Sequence, residues 1–178
     1  RRFAAEGFLA LAPDGLAPAG GYPGNDDDGR ELQRTLDGDK LLQDMVNSAE
    51  WLKGHDLAGE KMGVTGFCWG GYATNFLAAK LGGDLAAGVP FYGRGVAADE
   101  ASNIKAALMV QSAENDERIN AAWPEFEAEL KANDVDYIRH LYAGTNHGFH
   151  NNSTTRYDEA AAALAWQRMV EFFNQHLS

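Results

Sequence analysis

Cysteine is almost missing from this chain: Cys68 is the only one in 178 residues. No internal disulfide can form, which fits a reducing compartment and makes the cytoplasm the default expectation. Positive charge is in deficit as well, 15 Lys and Arg against 26 Asp and Glu, for a formal net charge of −11. A surface of that sign repels nucleic-acid phosphates and anionic membranes, so neither is an expected partner, and a small neutral or weakly polar molecule is easier to accommodate. No apolar run approaches the roughly 18 residues that a membrane span needs. Internal repeats and low-complexity tracts are absent too, which excludes a solenoid or a wholly disordered chain. An initiator Met is also lacking, and Arg1 to Gly7 reads like the last turns of a helix closed by glycine, so residues 1–178 are expected to be a single domain that is the C-terminal portion of a longer one.

What is present is the composition of an ordinary globular protein, 45% hydrophobic and 23% charged. Apolar runs over residues 7–12, 61–67, 86–92 and 106–112, with an alternating stretch at 136–142, predict strands. Helical spacing predicts helices over 32–53, 70–81, 121–132 and 157–177, and the Gly, Pro and Asp of 15–30 predict a loop that borders a pocket together with the residues up to 40. Strands alternating with helices imply an α/β architecture: a mostly parallel, doubly wound sheet with helices on both faces. Ligands in such sheets bind beyond the C-terminal ends of the strands.

Cys68 stands at one such end, in Gly66-Phe67-Cys68-Trp69-Gly70 between a predicted strand and a predicted helix. This is the form of a nucleophile elbow with Cys in place of Ser. The sharp turn tolerates only small neighbours, and a helix beginning there favours thiolate and offers the Trp69 N–H to an oxyanion. A lone cysteine is more often an inert buried residue, and it is the flanking glycines and their position between strand and helix that argue otherwise. His147, in the loop Gly144 to His150, stands where a general base belongs, with His150 as the competing choice. A His-x-x-His pair also suggests a metal, but no third ligand stands at suitable spacing, so no metal site and no cofactor are expected. Asp116 follows another strand. Such an acid is commonly just a helix start, but the order nucleophile, acid, histidine assigns it the task of orienting His147, with Glu114 and Glu117 as alternatives. His55, His140 and His176 read as solvated surface residues.

Five motifs then make the chain resemble the dienelactone hydrolase family over nearly its whole length: Ala-Pro-Asp-Gly at 12–15, Gly-Phe-Cys-Trp-Gly-Gly at 66–71, Pro-Phe-Tyr-Gly at 90–93, Asn-Asp-Glu-Arg-Ile-Asn at 115–120 and Asn-His-Gly-Phe-His at 146–150. The resemblance implies an α/β-hydrolase fold, a triad of Cys68, His147 and Asp116, and hydrolysis of a small ester or lactone through an acyl-enzyme. It also implies a strand beside that of residues 61–67, and a loop donating a second oxyanion N–H, that this sequence lacks. An arginine that helps hold the substrate in the best-studied members is replaced by Asn151, leaving Arg30, Arg34, Arg94 and Arg156 as candidates; no substrate-contacting residue is readable. A strand edge left unpaired could be filled by a second copy of the chain, giving a homo-oligomer. The competing reading is a truncated, non-catalytic binding module of the same shape. A thiol redox sensor is disfavoured by the absence of a resolving cysteine.

Overall fold

Strong caps and the alternation of apolar residues shape the chain. The computed structural model describes all of residues 1–178 and divides into two compact units, Arg1–Gly59 and Glu60–Ser178. The first unit holds a helical turn, α1 (Arg2–Ala5), then α2 (Asp26–Thr35) and α3 (Gly38–Lys53). Where one helix is expected over 32–53, two form. The Asn25 side chain accepts from the Asp28 N–H at 2.9 Å, and three aspartates follow in the first turn, where negative charge suits the helix dipole. Asp37 then interrupts the run by capping α3, accepting from the N–H groups of Asp39 and Lys40 at 3.0 and 3.1 Å. The expected strand at 7–12 does not form. Its residues carry no ladder hydrogen bonds, and Leu9 and Leu11 are 47% and 40% exposed. An apolar run becomes a strand only when another strand takes up its backbone groups, and Arg1–Gly59 contains none.

The second unit is built on four parallel strands in the order β1 (Gly63–Phe67), β2 (Ala87–Phe91), β3 (Ala107–Ala113) and β4 (Tyr137–Tyr142). The intervening helices are α4 (Trp69–Leu81), the short α5 (Ala98–Ala101) and α6 (Glu117–Ala132), with α7 (Glu159–Leu177) closing the chain. Register and side-chain alternation assign the helices to opposite faces. Gly63 pairs with Ala87 and Val64 with Gly88, so the two glycines face opposite ways. A Cβ on Gly63 would lie 2.8 Å from the Phe173 ring of α7, and one on Gly88 would sit 3.5 Å from Thr74 of α4. Each glycine lets a helix settle close to the sheet. Helix α7 turns Ala162, Ala165, Met169, Phe172 and Phe173 inward at spacings of three and four. Strands β2 and β3 are buried throughout, whereas β1 is only half-buried. No helix is long and apolar enough to cross a membrane.

Candidate active site

Strand β1 runs directly into the elbow. At Cys68 the backbone takes φ 56° and ψ −115°, a conformation that costs a side-chain-bearing residue about 1–3 kcal/mol and persists only where its surroundings dictate it. Here they do. The Cys68 N–H donates to the Phe91 carbonyl at 3.1 Å, and the Cys68 carbonyl accepts from the N–H groups of Gly71 and Tyr72 at 3.0 and 3.3 Å. A Cβ on Gly66 would stand 2.2 Å from the Gly70 oxygen, and one on Gly71 would stand 2.5 Å from the Phe91 oxygen, so the turn closes only because both are glycine. The result is an exposed sulfur at the N-terminus of α4. The Trp69 N–H lies in the first helical turn, where N–H groups lack intrahelical acceptors.

Although part of Cys68 is open to solvent, the desolvation of its sulfur raises the thiol pKa above its ordinary value. The charge of Arg156 pulls it back down, that of Asp116 pushes it up, and Arg118 lowers it again. Burial thus works against the thiolate that the helix N-terminus is expected to favour.

The imidazole of His147 stands next to the sulfur. Its Nε2 lies 3.0 Å from Cys68 Sγ, and its Nδ1 lies 2.5 Å from Asp116 Oδ2. The two loops carrying histidine and acid are stitched together: Asn115 N–H donates to the Thr145 carbonyl at 2.9 Å, Asn115 Nδ2 to the Gly144 carbonyl at 3.1 Å, and the Gly144 N–H to Glu114 Oε2 at 2.7 Å. Glu114, an alternative acid on sequence grounds, thus holds the histidine loop rather than the imidazole. Asp116 itself is 7% exposed, and its other oxygen caps α6 by accepting from the Ile119 N–H at 3.5 Å. Helix start and imidazole partner are one residue.

Beneath the imidazole sits Tyr92, whose ring centroid is 4.9 Å from that of His147. Tyr92 is 2% exposed and takes φ 38°. Burial pushes its phenol far above the usual range, and the proximity of Cys68 adds to this, so it stays protonated. The Pro-Phe-Tyr-Gly motif contained this residue, but nothing in its spacing marked a left-handed backbone. His150 packs among the rings of Phe67 and Phe91, at 5.1 and 5.2 Å. Among the remaining histidines, His140 is half-buried rather than solvated, and its pKa is lowered by burial and then by Arg168. His55 Nδ1 accepts from the Leu57 N–H, and His176 lies against Phe172. No group of three or more His, Cys, Asp or Glu side chains gathers at metal-ligating distance.

The four candidate arginines also separate. Arg30 and Arg34 pair with Asp27 and Glu31 on α2, and Arg94 stacks on Tyr72 with its Cζ 3.9 Å from the ring centre. Of these four, Arg156 alone has a charge that reaches the sulfur, its guanidinium lying within 3.7–3.8 Å of where a Cβ on Gly148 would be.

Comparison with known proteins gives the chain its relatives. The profile of the dienelactone hydrolase family matches residues 1–177. Protein usf of Aquifex pyrophilus is 35% identical over 184 residues, covering 99% of this chain and 79% of that protein. A protein of Aquifex aeolicus, provisionally named a carboxymethylenebutenolidase, is 33% identical over 186 residues, covering 99% of this chain and 78% of the other. Among solved structures, a provisionally named dienelactone hydrolase from Klebsiella pneumoniae superposes with a TM-score of 0.83 at 28% identity, covering 98% of this chain and 78% of that one. The dienelactone hydrolase-like promiscuous phosphotriesterase P91, from metagenomic libraries, shares the fold with a TM-score of 0.82 at 24% identity, covering 100% and 79% of the two chains. A parallel sheet flanked by helices, a sharp strand-to-helix elbow and a match over almost every residue lead to one assignment: the chain has the α/β-hydrolase fold and belongs to the dienelactone hydrolase family.

Proposed function

We propose that this hydrolase cleaves a small carboxylic ester or lactone with Cys68 as nucleophile, His147 as general base and acid, and Asp116 as the group that orients the imidazole. The observation that carries the reading is the line of contacts from sulfur to imidazole to carboxylate, 3.0 and 2.5 Å in turn. In the first step His147 Nε2 takes the thiol proton as sulfur bonds to the carbonyl carbon, and the oxygen gains the charge that the Trp69 N–H stabilises. As the tetrahedral species collapses, the ester C–O bond breaks and His147 returns its proton to the departing oxygen, leaving a thioester on Cys68. Water, deprotonated by His147, then attacks the thioester carbon; the C–S bond breaks and sulfur recovers the proton. Asp116 keeps Nδ1 protonated so that Nε2 faces the sulfur with its lone pair.

A substrate without strong positive charge requirements, acted on by a free thiol, suits the reducing cytoplasm, and the net charge of −11 argues against nucleic acid as partner. Turnover of p-nitrophenyl esters and simple lactones tests the reading. Cys68→Ala is expected to reduce turnover to the uncatalysed rate, and His147→Gln to lower kcat by about 10²–10⁴. Unchanged turnover in Cys68→Ala would remove the sulfur from the mechanism, and a parent chain no faster than the uncatalysed reaction would favour a non-catalytic module.

A further inference from the structure

The turn after β2 holds a tyrosine where a glycine would be easier. Tyr92 follows β2 at φ 38°, a region in which a bulky side chain is a genuine outlier costing about 1–3 kcal/mol. The chain has no freedom to avoid the turn. The Tyr92 N–H donates to the Gln111 carbonyl at 2.8 Å, and the next residue, Gly93, is pressed against the elbow so closely that a Cβ there would lie 2.3 Å from the Gly71 carbonyl carbon. Asn or Gly at position 92 would relieve the strain. What only an aromatic side chain supplies is the set of contacts its ring makes: centroids 4.9 Å from His147, 5.5 Å from Phe149, 6.0 Å from Phe91 and 6.2 Å from Phe67. Phe67 precedes the nucleophile, and Phe149 belongs to the histidine loop.

We propose that Tyr92 is a positioning residue for His147: its buried ring, wedged between the nucleophile strand and the histidine loop, sets the imidazole's approach to Cys68. The proposal rests on the reading of Cys68 and His147 as nucleophile and base. Its logic is geometric. Tyr92 is the aromatic ring packed against the imidazole, and an unsupported imidazole would be free to tilt away from the sulfur. A displacement of 1 Å in such a pair can cost about 10²-fold in rate.

The test compares Tyr92→Asn, which suits the left-handed backbone but removes the ring, with Tyr92→Leu, which keeps an apolar side chain, and Tyr92→Phe, which keeps the ring. Ester turnover is measured alongside the pH dependence of Cys68 alkylation by iodoacetamide, an unambiguous signal because the chain has one cysteine. The Asn and Leu variants are expected to lose about 10- to 100-fold in kcat with KM within about twofold. Their alkylation profiles should move toward that of His147→Gln, while Tyr92→Phe restores both readouts. The proposal is overturned if the ring-less variants keep the wild-type alkylation profile, even where their melting temperature falls, because that outcome assigns the ring to packing alone. It is equally overturned if Tyr92→Phe falls as far as Tyr92→Leu. Failure of the hydrolase reading looks different: Cys68→Ala would then keep its turnover, while the alkylation profile still reports whether Tyr92 couples imidazole and sulfur.

Discussion

At the scale of single residues, the site is a contest over one proton. Desolvation of the sulfur favours the thiol, and the guanidinium of Arg156, lodged over Gly148, opposes it. Removing that charge in Arg156→Gln should therefore push the Cys68 pKa further up. The midpoint of a pH–rate profile for iodoacetamide alkylation is expected to move to higher pH, and a midpoint that stayed put or fell would show that the arginine does not act on the sulfur. The guanidinium packs at ordinary contact distance over Gly148, which takes φ 88°. It is held there by a loop pinned at its base, where the Asp158 N–H donates to the Phe149 carbonyl at 2.9 Å. None of this could be read from the sequence, where Arg156 was one candidate of four. Cys68, by contrast, was conspicuous from its two glycines, and Asp116 and His147 from their places after strands. Tyr92 was not, since a positive φ outside glycine has no signature in residue spacing.

At the scale of elements, local chemistry was legible wherever it settled the outcome. The glycine-flanked elbow and the inward stripe of α7 follow from spacing alone, and both formed as expected. The boundary between α2 and α3 was legible in principle, through the Asn25 and Asp37 caps, but the aspartates after Asn25 resemble a loop until the cap is recognised. Residues 7–12 show the opposite limit: their apolar pattern fits a strand, but strand formation is decided by a partner that a local pattern does not contain. The elbow itself invites a quantitative check. Gly66→Ala would force a methyl group into the Gly70 carbonyl at 2.2 Å, backbone against backbone, so neither side can yield cheaply. A loss of about 1–3 kcal/mol is expected from overpacking, read as a lower denaturant midpoint. A variant as stable as the parent would mean that the turn is less tightly closed than its contacts imply.

Across the whole molecule, stability is unevenly shared. Strands β2 and β3 are buried along their length, and β1, at the end of the sheet, is only half-covered. Hydrogen exchange should follow this gradient, with the amides of Leu108 to Val110 among the slowest and those of β1 opening earlier. Equal protection across the four strands would contradict it. Cys68 and His147 thus follow the two half-covered outer strands, β1 and β4, while Asp116 follows the buried β3. Joining these strand ends falls to few groups, and Asp116 has a divided duty among them. Since the same carboxylate secures the opening turn of α6 and steadies the imidazole, fraying of that turn and loss of alignment become a single event. The lifetime of the working arrangement can then be no longer than that of one turn of helix, however durable the sheet behind it.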